Sequence, residues 1–134
     1  MQSQTRIIGE IREIRGLTYE IIGAAMELQQ TAGPGYIELI NKNALIHELH
    51  RRSIETKTEC EIRIVYKERT LGRHRLDLVV SDTVIVELKA VTAINDVHMA
   101  QTHSYLTATQ LELALIVNFG GPSLSWKRVI RSRR

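Results

Sequence analysis

Between residues 73 and 90 apolar and polar positions alternate with period two on both sides of a short polar break at Ser81, Asp82 and Thr83. Such alternation predicts two strands, 73–80 and 84–90, joined as a hairpin. A three-residue loop pairs Val80 with Val84, Leu78 with Val86, Asp77 with Glu87 and Arg75 with Lys89. One face then carries Leu76, Leu78, Val80, Val84, Val86 and Leu88, and the other carries Arg75, Asp77, Glu87 and Lys89. A two-residue loop shifts the register by one and scrambles both faces, so the pattern selects the register. Upstream, Leu17, Ile21, Ala25 and Leu28 mark one face of a helix ending near Thr31. Gly33, Pro34 and Gly35 break it. A second helix is expected over 36–52, with Ile37, Ile40, Ala44 and Leu45 as its apolar stripe. A strand over 60–66 leads into the hairpin. Thr92 or Asn95 can cap a third helix running to about residue 108, followed by a buried strand over 113–118 and a last strand over 126–130. Ile7, Ile11 and Ile14 have helical spacing, but Gly9 and Gly16 interrupt them, so residues 1–16 read as an extension of uncertain structure before a single domain over 17–134.

The selected register sets two carboxylates opposite each other, which is unfavourable unless a cation lies between them. Asp and Glu are hard oxygen donors suited to Mg2+ or Mn2+, whereas zinc sites are built mainly on Cys and His. Lys89 follows Glu87 by two residues, on the same face and roughly 6–7 Å along the strand. An ammonium there can hold a metal-bound water or meet charge on a phosphate. A surface hairpin carrying a cross-strand salt-bridge ladder fits the same residues. Glu38 sits in the first turn of the second helix, where the helix dipole alone accounts for an acid, with Asn41 and Lys42 on the same side. On the third helix His98, Gln101 and Tyr105 share a stripe, as a solvated face or as the lining of a groove.

The remaining composition narrows the class. A chain of 134 residues with 43% apolar and 25% charged residues is expected to form one globular core. No apolar run approaches membrane-spanning length. The single cysteine, Cys60, excludes a disulfide within the chain and an iron–sulfur cluster held by four of its own cysteines. These features lead to the expectation of a cytoplasmic protein with no membrane partner. The net charge is +3, and Lys127, Arg128, Arg131, Arg133 and Arg134 crowd the last eight residues, as a phosphate-contacting arm or a solvated tail.

Several segments carry a resemblance. IIGAAMEL at 21–28, GPGYIEL at 33–39, RLDLVV at 75–80, VIVELKA at 84–90, VHMAQTHSYL at 97–106 and VNFGGPSLSWKRVI at 117–130 together resemble the GxxExxY protein family. That family falls within the PD-(D/E)XK nuclease superfamily, and Gln101-x-x-x-Tyr105 is similar to the element of its lambda-exonuclease-like branch. The resemblance implies an α/β, restriction-endonuclease-like (PD-(D/E)XK) core: a central mixed β-sheet flanked by α-helices, with the site at one edge of the sheet. It implies that Asp77 and Glu87, with the Leu88 carbonyl, hold Mg2+ or Mn2+, and that Glu38 reaches the metal directly or through water. Lys89 would handle the attacking water, with Gln101 and Tyr105 fixing the lysine and contacting substrate. His98 fits the family's His-x-x-Gln spacing. Two positions depart from the pattern: the signature tyrosine falls on Asn41, and the histidine often found before the Gly-Pro-Gly turn is Gln29.

The expected activity is therefore metal-dependent hydrolysis of nucleic-acid phosphodiesters, with DNA favoured and little sequence specificity. Arg73, Arg75 and Arg131 are candidate phosphate contacts. A homo-oligomer or a larger DNA-processing complex is a further expected partner. Two alternatives use the same residues: a catalytically silent nucleic-acid-binding or accessory module, and an interaction protein that retains the nuclease fold.

Overall fold

The computed structural model describes residues 2–32 and 37–131, with side chains described from residue 12 onward except at position 32. The turn expected at Gly33, Pro34 and Gly35, and the tail residues Arg133 and Arg134, lie outside the described residues. The elements run α1 (Gln2–Ala32), α2 (Glu38–Arg51), β1 (Thr56–Tyr66), β2 (Arg69–Val80), β3 (Val84–Lys89), α3 (Asp96–Thr109), β4 (Leu113–Asn118) and β5 (Ser125–Ile130). The five strands form one sheet in chain order, antiparallel throughout except for β3 against β4. That one parallel pair needs a crossover, and α3 supplies it. The fold is thus a mixed α/β sheet with helices on both faces. No helix among the described residues is long and apolar enough to cross a membrane.

Alternation along the strands separates the two faces. Val84, Val86 and Leu88 of β3, with Leu113, Leu115 and Val117 of β4, pack with Ile21, Ala24 and Ala25 of α1 and Leu45 and Leu49 of α2. Ile85, Ala114, Ile116 and Val129 pack on the other face around Leu106 of α3. Burial of side chains of this size supplies about 1.5–3 kcal/mol each, so these two layers dominate stability. The helix stripe at Leu17, Ile21, Ala25 and Leu28 packs as its periodicity implies, and the same helix reaches back to Gln2 through both early glycines.

The apolar stripe expected on α2 is only partly correct. Ile37 and Ile40 are exposed, Ala44 is half-buried, and the buried face is Asn41, Lys42, Leu45 and Leu49. Lys42 is buried because its ammonium pairs with Glu59 of β1, which a stripe drawn from hydrophobicity alone leaves out.

The hairpin loop has the expected three residues, and Leu78, Val79 and Val80 pair with Val86, Ile85 and Val84. The ladder ends there, however, so Arg75 and Lys89 are not paired. Leu76 is also not on the face of Leu78: it packs with the α3 layer, as does Val79. Two residues three apart on one face mean that β2 changes phase at Asp77. β1 breaks at the same level, where Glu59 adopts φ 55 between the pairs Thr58–Leu78 and Cys60–Leu76. Beyond that break β1 and β2 continue as a two-stranded ribbon, closed by Lys67 and Glu68, both at positive φ. Such a two-residue turn matches strand twist and usually takes Asn-Gly.

Past β3 the chain is held by Asn118, which is fully buried at the end of β4. Its side-chain oxygen accepts from the backbone N–H groups of Val91 and Gly120, and its Nδ2 donates to the Val91 carbonyl. A Cβ on Gly120 would lie 2.3 Å from the Val91 nitrogen, so only glycine permits this close approach. The clasp fixes the segment immediately after Lys89. Asn118→Ala removes the three hydrogen bonds of this buried side chain and is expected to cost about 1–3 kcal/mol in chemical denaturation; a loss below 0.5 kcal/mol (about the size of a neutral surface change) contradicts it.

Candidate metal centre

The phase break at Asp77 and the end of β3 coincide, and side chains there take over from the backbone ladder. The Asp77 N–H donates to Glu87 Oε1 at 3.2 Å, and the Leu88 N–H donates to Asp77 Oδ2 at 2.9 Å. Each acid thus binds the other strand's main chain, which locks the two carboxyl groups beside each other. Ile85 lies on the α3 face, so Glu87 and Lys89, two and four residues on, point the same way. The site stands at the C-terminal end of the central strand β3, where β2 diverges from it, rather than along an outer strand of the sheet.

Glu87 is 3% exposed. Burial first, then the negative charge of Asp77, pushes its carboxyl up to about 8; Lys89 acts in the opposite direction. A carboxylate so raised is one for which the fold supplies too little positive charge. Hard oxygen donors, a buried acid short of a counter-charge and a neighbouring backbone carbonyl at Leu88 suit a small divalent cation that keeps several waters. Asp77 and Glu87 fit that role. Glu38 is placed differently: from the first turn of α2, its Oε1 accepts from the Ala90 N–H at 3.1 Å. No cluster of three or more His, Cys, Asp or Glu side chains able to hold a metal occurs among the described residues. Any ion at this point therefore rests on the two carboxylates, backbone oxygen and water.

Around the acids stand groups from α3 and β2. Tyr105 is half-buried, and burial followed by the charges of Glu87 and Asp77 raises its hydroxyl above the usual range. Its ring stacks on His74 with centroids 4.1 Å apart and planes within 6°. His74 Nε2 is buried without a hydrogen-bond partner and lies 3.7 Å from Glu87 Oε2. Burial holds the imidazole below its ordinary value, with Asp77 opposing that shift and Lys89 reinforcing it. His74 is the residue the sequence reading missed. Its signal was available, since a histidine two positions before Leu76 continues an apolar face where a polar side chain needs a reason.

The other expected residues fall into distinct places. Gln101 is exposed on α3, one turn before Tyr105. His98 caps α3, accepting from the Asn95 N–H through Nδ1 while Asn95 accepts from the His98 N–H. Arg73 and Arg75 are exposed on the ribbon, Arg73 reaching Glu61 at 3.3 Å. Arg131 is not brought to the site: it follows Ile130, which aligns through Leu113 with Val84 at the opposite end of β3. Its guanidinium there donates to Glu112 and Gln110. Gln29, at the family's frequent histidine position, accepts from the Leu124 N–H. Asn41 is buried on α2.

Comparison with known proteins follows this geometry. No curated protein sequence matches the chain. Among solved structures it is similar to one titled "Crystal structure of SSO0001", with a TM-score of 0.55, 17% identity, and coverage of 71% of this chain and 50% of that one. The chain therefore spans about half the length of that protein, and a likeness at this identity bears on the fold. The family profile described as the PD-(D/E)XK nuclease superfamily matches residues 15–129, which include both carboxylates, the lysine after them and the crossover helix. With the mixed sheet and its acidic divergence point in place, that match shows that the chain belongs to the PD-(D/E)XK nuclease superfamily.

Proposed function

We propose that this protein hydrolyses phosphodiester bonds of nucleic acid, DNA in preference to RNA, at Asp77, Glu87 and Lys89, and that it sits with the GxxExxY proteins near the lambda-exonuclease-like branch of the superfamily. The observation that carries the reading is the locked pair Asp77–Glu87, with Glu87 buried and undercompensated beside Lys89. Mg2+ or Mn2+, held by Asp77, Glu87 and the Leu88 carbonyl, would supply charge neutralisation on the phosphate and a more acidic water.

The chain's own residues do the rest. Lys89 projects on the Glu87 face and is partly exposed, so its ammonium can hold the attacking water and orient it in line with the leaving oxygen. The water oxygen forms the new bond to phosphorus and gives up a proton to solvent, the old ester bond breaks, and the leaving oxygen takes a proton from solvent. Glu38 ties the first turn of α2 to the backbone just past Lys89 and keeps the lysine strand in place. Tyr105, beside the acids, and Gln101, exposed one turn earlier, would fix the lysine and contact substrate. Arg73 and Arg75, on the ribbon face opposite Leu76, would add positive charge beside the site without reading bases.

Activity on DNA is expected with Mn2+ or Mg2+ and not in excess chelator. Asp77→Asn and Lys89→Ala are each expected to lower the cleavage rate by about 100-fold or more, the scale of losing one preorganised charge at a reacting centre. Cleavage that persists in chelator, or in Lys89→Ala at the wild-type rate, contradicts this reading.

A second expectation concerns pH. In chelator, the folded protein holds the Glu87 proton up to about 8, whereas an unfolded chain releases it near 4.5. Between those values the folded state binds more protons at this group, so the contribution of Glu87 to stability is greatest below the lower one and falls as pH rises to about 8. Glu87→Gln is expected to flatten that decline. A divalent cation is expected to raise the melting temperature at pH 8 by mass action, and Asp77→Asn to abolish the rise. Melting curves across pH 5–9 (spanning the titration window) decide it; identical slopes for wild type and Glu87→Gln refute it.

A further inference from the structure

β2 pairs with β3 only from Leu78 onward, yet it begins at Arg69. Its first half is joined to β1 alone, from Leu76–Cys60 out to Arg69–Tyr66. The base of this ribbon is covered, with Cys60, Ile62 and Leu76 in the α3 layer. Beyond Ile62 and His74 the covering ends: residues 65–73 are all exposed, as is Arg63, and only Ile64 is half-buried. The ribbon leaves the sheet at the level of Asp77. Eight residues separate Asp77 from Arg69, so its tip stands roughly 26 Å from the carboxylates along the strand.

Its side chains are unusual for a free hairpin. Residues 61–75 contain Arg63, Lys67, Arg69, Arg73 and Arg75 against Glu61 and Glu68, an excess equal to the +3 of the whole chain. Arg63 stands directly opposite Arg73. Like charges in that position destabilise a ladder unless an anion shares them, and the Glu61–Arg73 pair is an exposed contact worth little. Val65, Tyr66 and Leu71, all more than half exposed, give the tip an apolar surface between the cations.

We propose that the β1–β2 ribbon is a duplex-DNA arm that lies in the major groove, with Arg63, Arg69 and Arg73 on the flanking phosphates, while the scissile strand enters the Asp77–Glu87 site. The proposal rests on the phosphodiester reading of that site. A two-stranded ribbon fits a groove about 12 Å wide. The major groove of A-form RNA is deep and narrow and does not admit one. Single strands are held chiefly by stacking on several aromatic rings, whereas this ribbon has one, Tyr66, already beneath the Lys67 ammonium. The arm adds affinity and orientation; its contacts are to phosphates, so sequence preference stays weak.

The test measures binding of a labelled DNA duplex, the matching RNA duplex and the single strand in chelator, where cleavage is absent. Wild type is expected to bind the DNA duplex most tightly. Arg63→Ala/Arg69→Ala/Arg73→Ala is expected to weaken that binding by roughly tenfold or more and to flatten the dependence of log K on log salt by about 2–3. Glu61→Gln, which releases Arg73, is expected to tighten it. Circular dichroism confirms that each variant is folded. Duplex affinity and salt slope unchanged in the triple variant overturn the proposal, as does equal affinity of wild type for the RNA duplex. Hydrolysis of bis(p-nitrophenyl) phosphate by the wild-type protein with Mn2+ tests the site separately. If that reaction is present and the triple variant binds duplex normally, the arm fails and the site reading stands. If it is absent while the variant loses duplex binding, the arm stands and the site reading fails.

Discussion

The rest of the structure is arranged around two carboxyl groups that the fold forces together. Asp77 and Glu87 replace the next rungs of the β2–β3 ladder, each accepting from the other strand's backbone, at the point where β2 turns away from β3. In an ordinary hairpin two acids at this position would be selected against. Here their backbone partners hold them, and burial of Glu87 raises the cost of leaving the pair without a counter-charge. Local conflict tolerated inside an otherwise consistent fold is where function is expected.

Each surrounding element serves that pair. The parallel β3–β4 step requires α3, which brings Tyr105 to stack on His74 of β2. Asn118 and Gly120 hold the segment after Lys89 by close backbone contact. The first turn of α2 reaches Ala90 through Glu38. Divergence of β2 from β3 opens the site and, in the same step, projects the ribbon past it. One change of strand phase therefore sets the proposed metal site and the proposed arm side by side.

How much of this was legible in the sequence depends on the element. The hairpin register was readable because a one-residue slip would have exposed its apolar face, and the Asp77–Glu87 proximity followed from it. The faces of Leu76 and Arg75 were misread because period two was carried straight through Asp77. Nothing in the residue types marks Glu59 for a left-handed conformation that glycine or asparagine would ordinarily take. On α2, hydrophobicity pointed to Ile37 and Ile40, but tertiary pairing with Glu59 buried Lys42 instead. His74 and Tyr105 are far apart in sequence, and their stacking arises only once α3 crosses the sheet. The superfamily was legible because its motifs sit on elements whose periodicity was strong.

On this reading Asp77 and Glu87 share a divalent cation. A crystal soaked in Mn2+ and measured at the manganese absorption edge tests it most directly. An anomalous peak contacting both carboxylates and the Leu88 carbonyl is expected, lost in crystals of Asp77→Asn. A fully soaked crystal with no peak between the two acids, or with manganese bound only elsewhere, would contradict it.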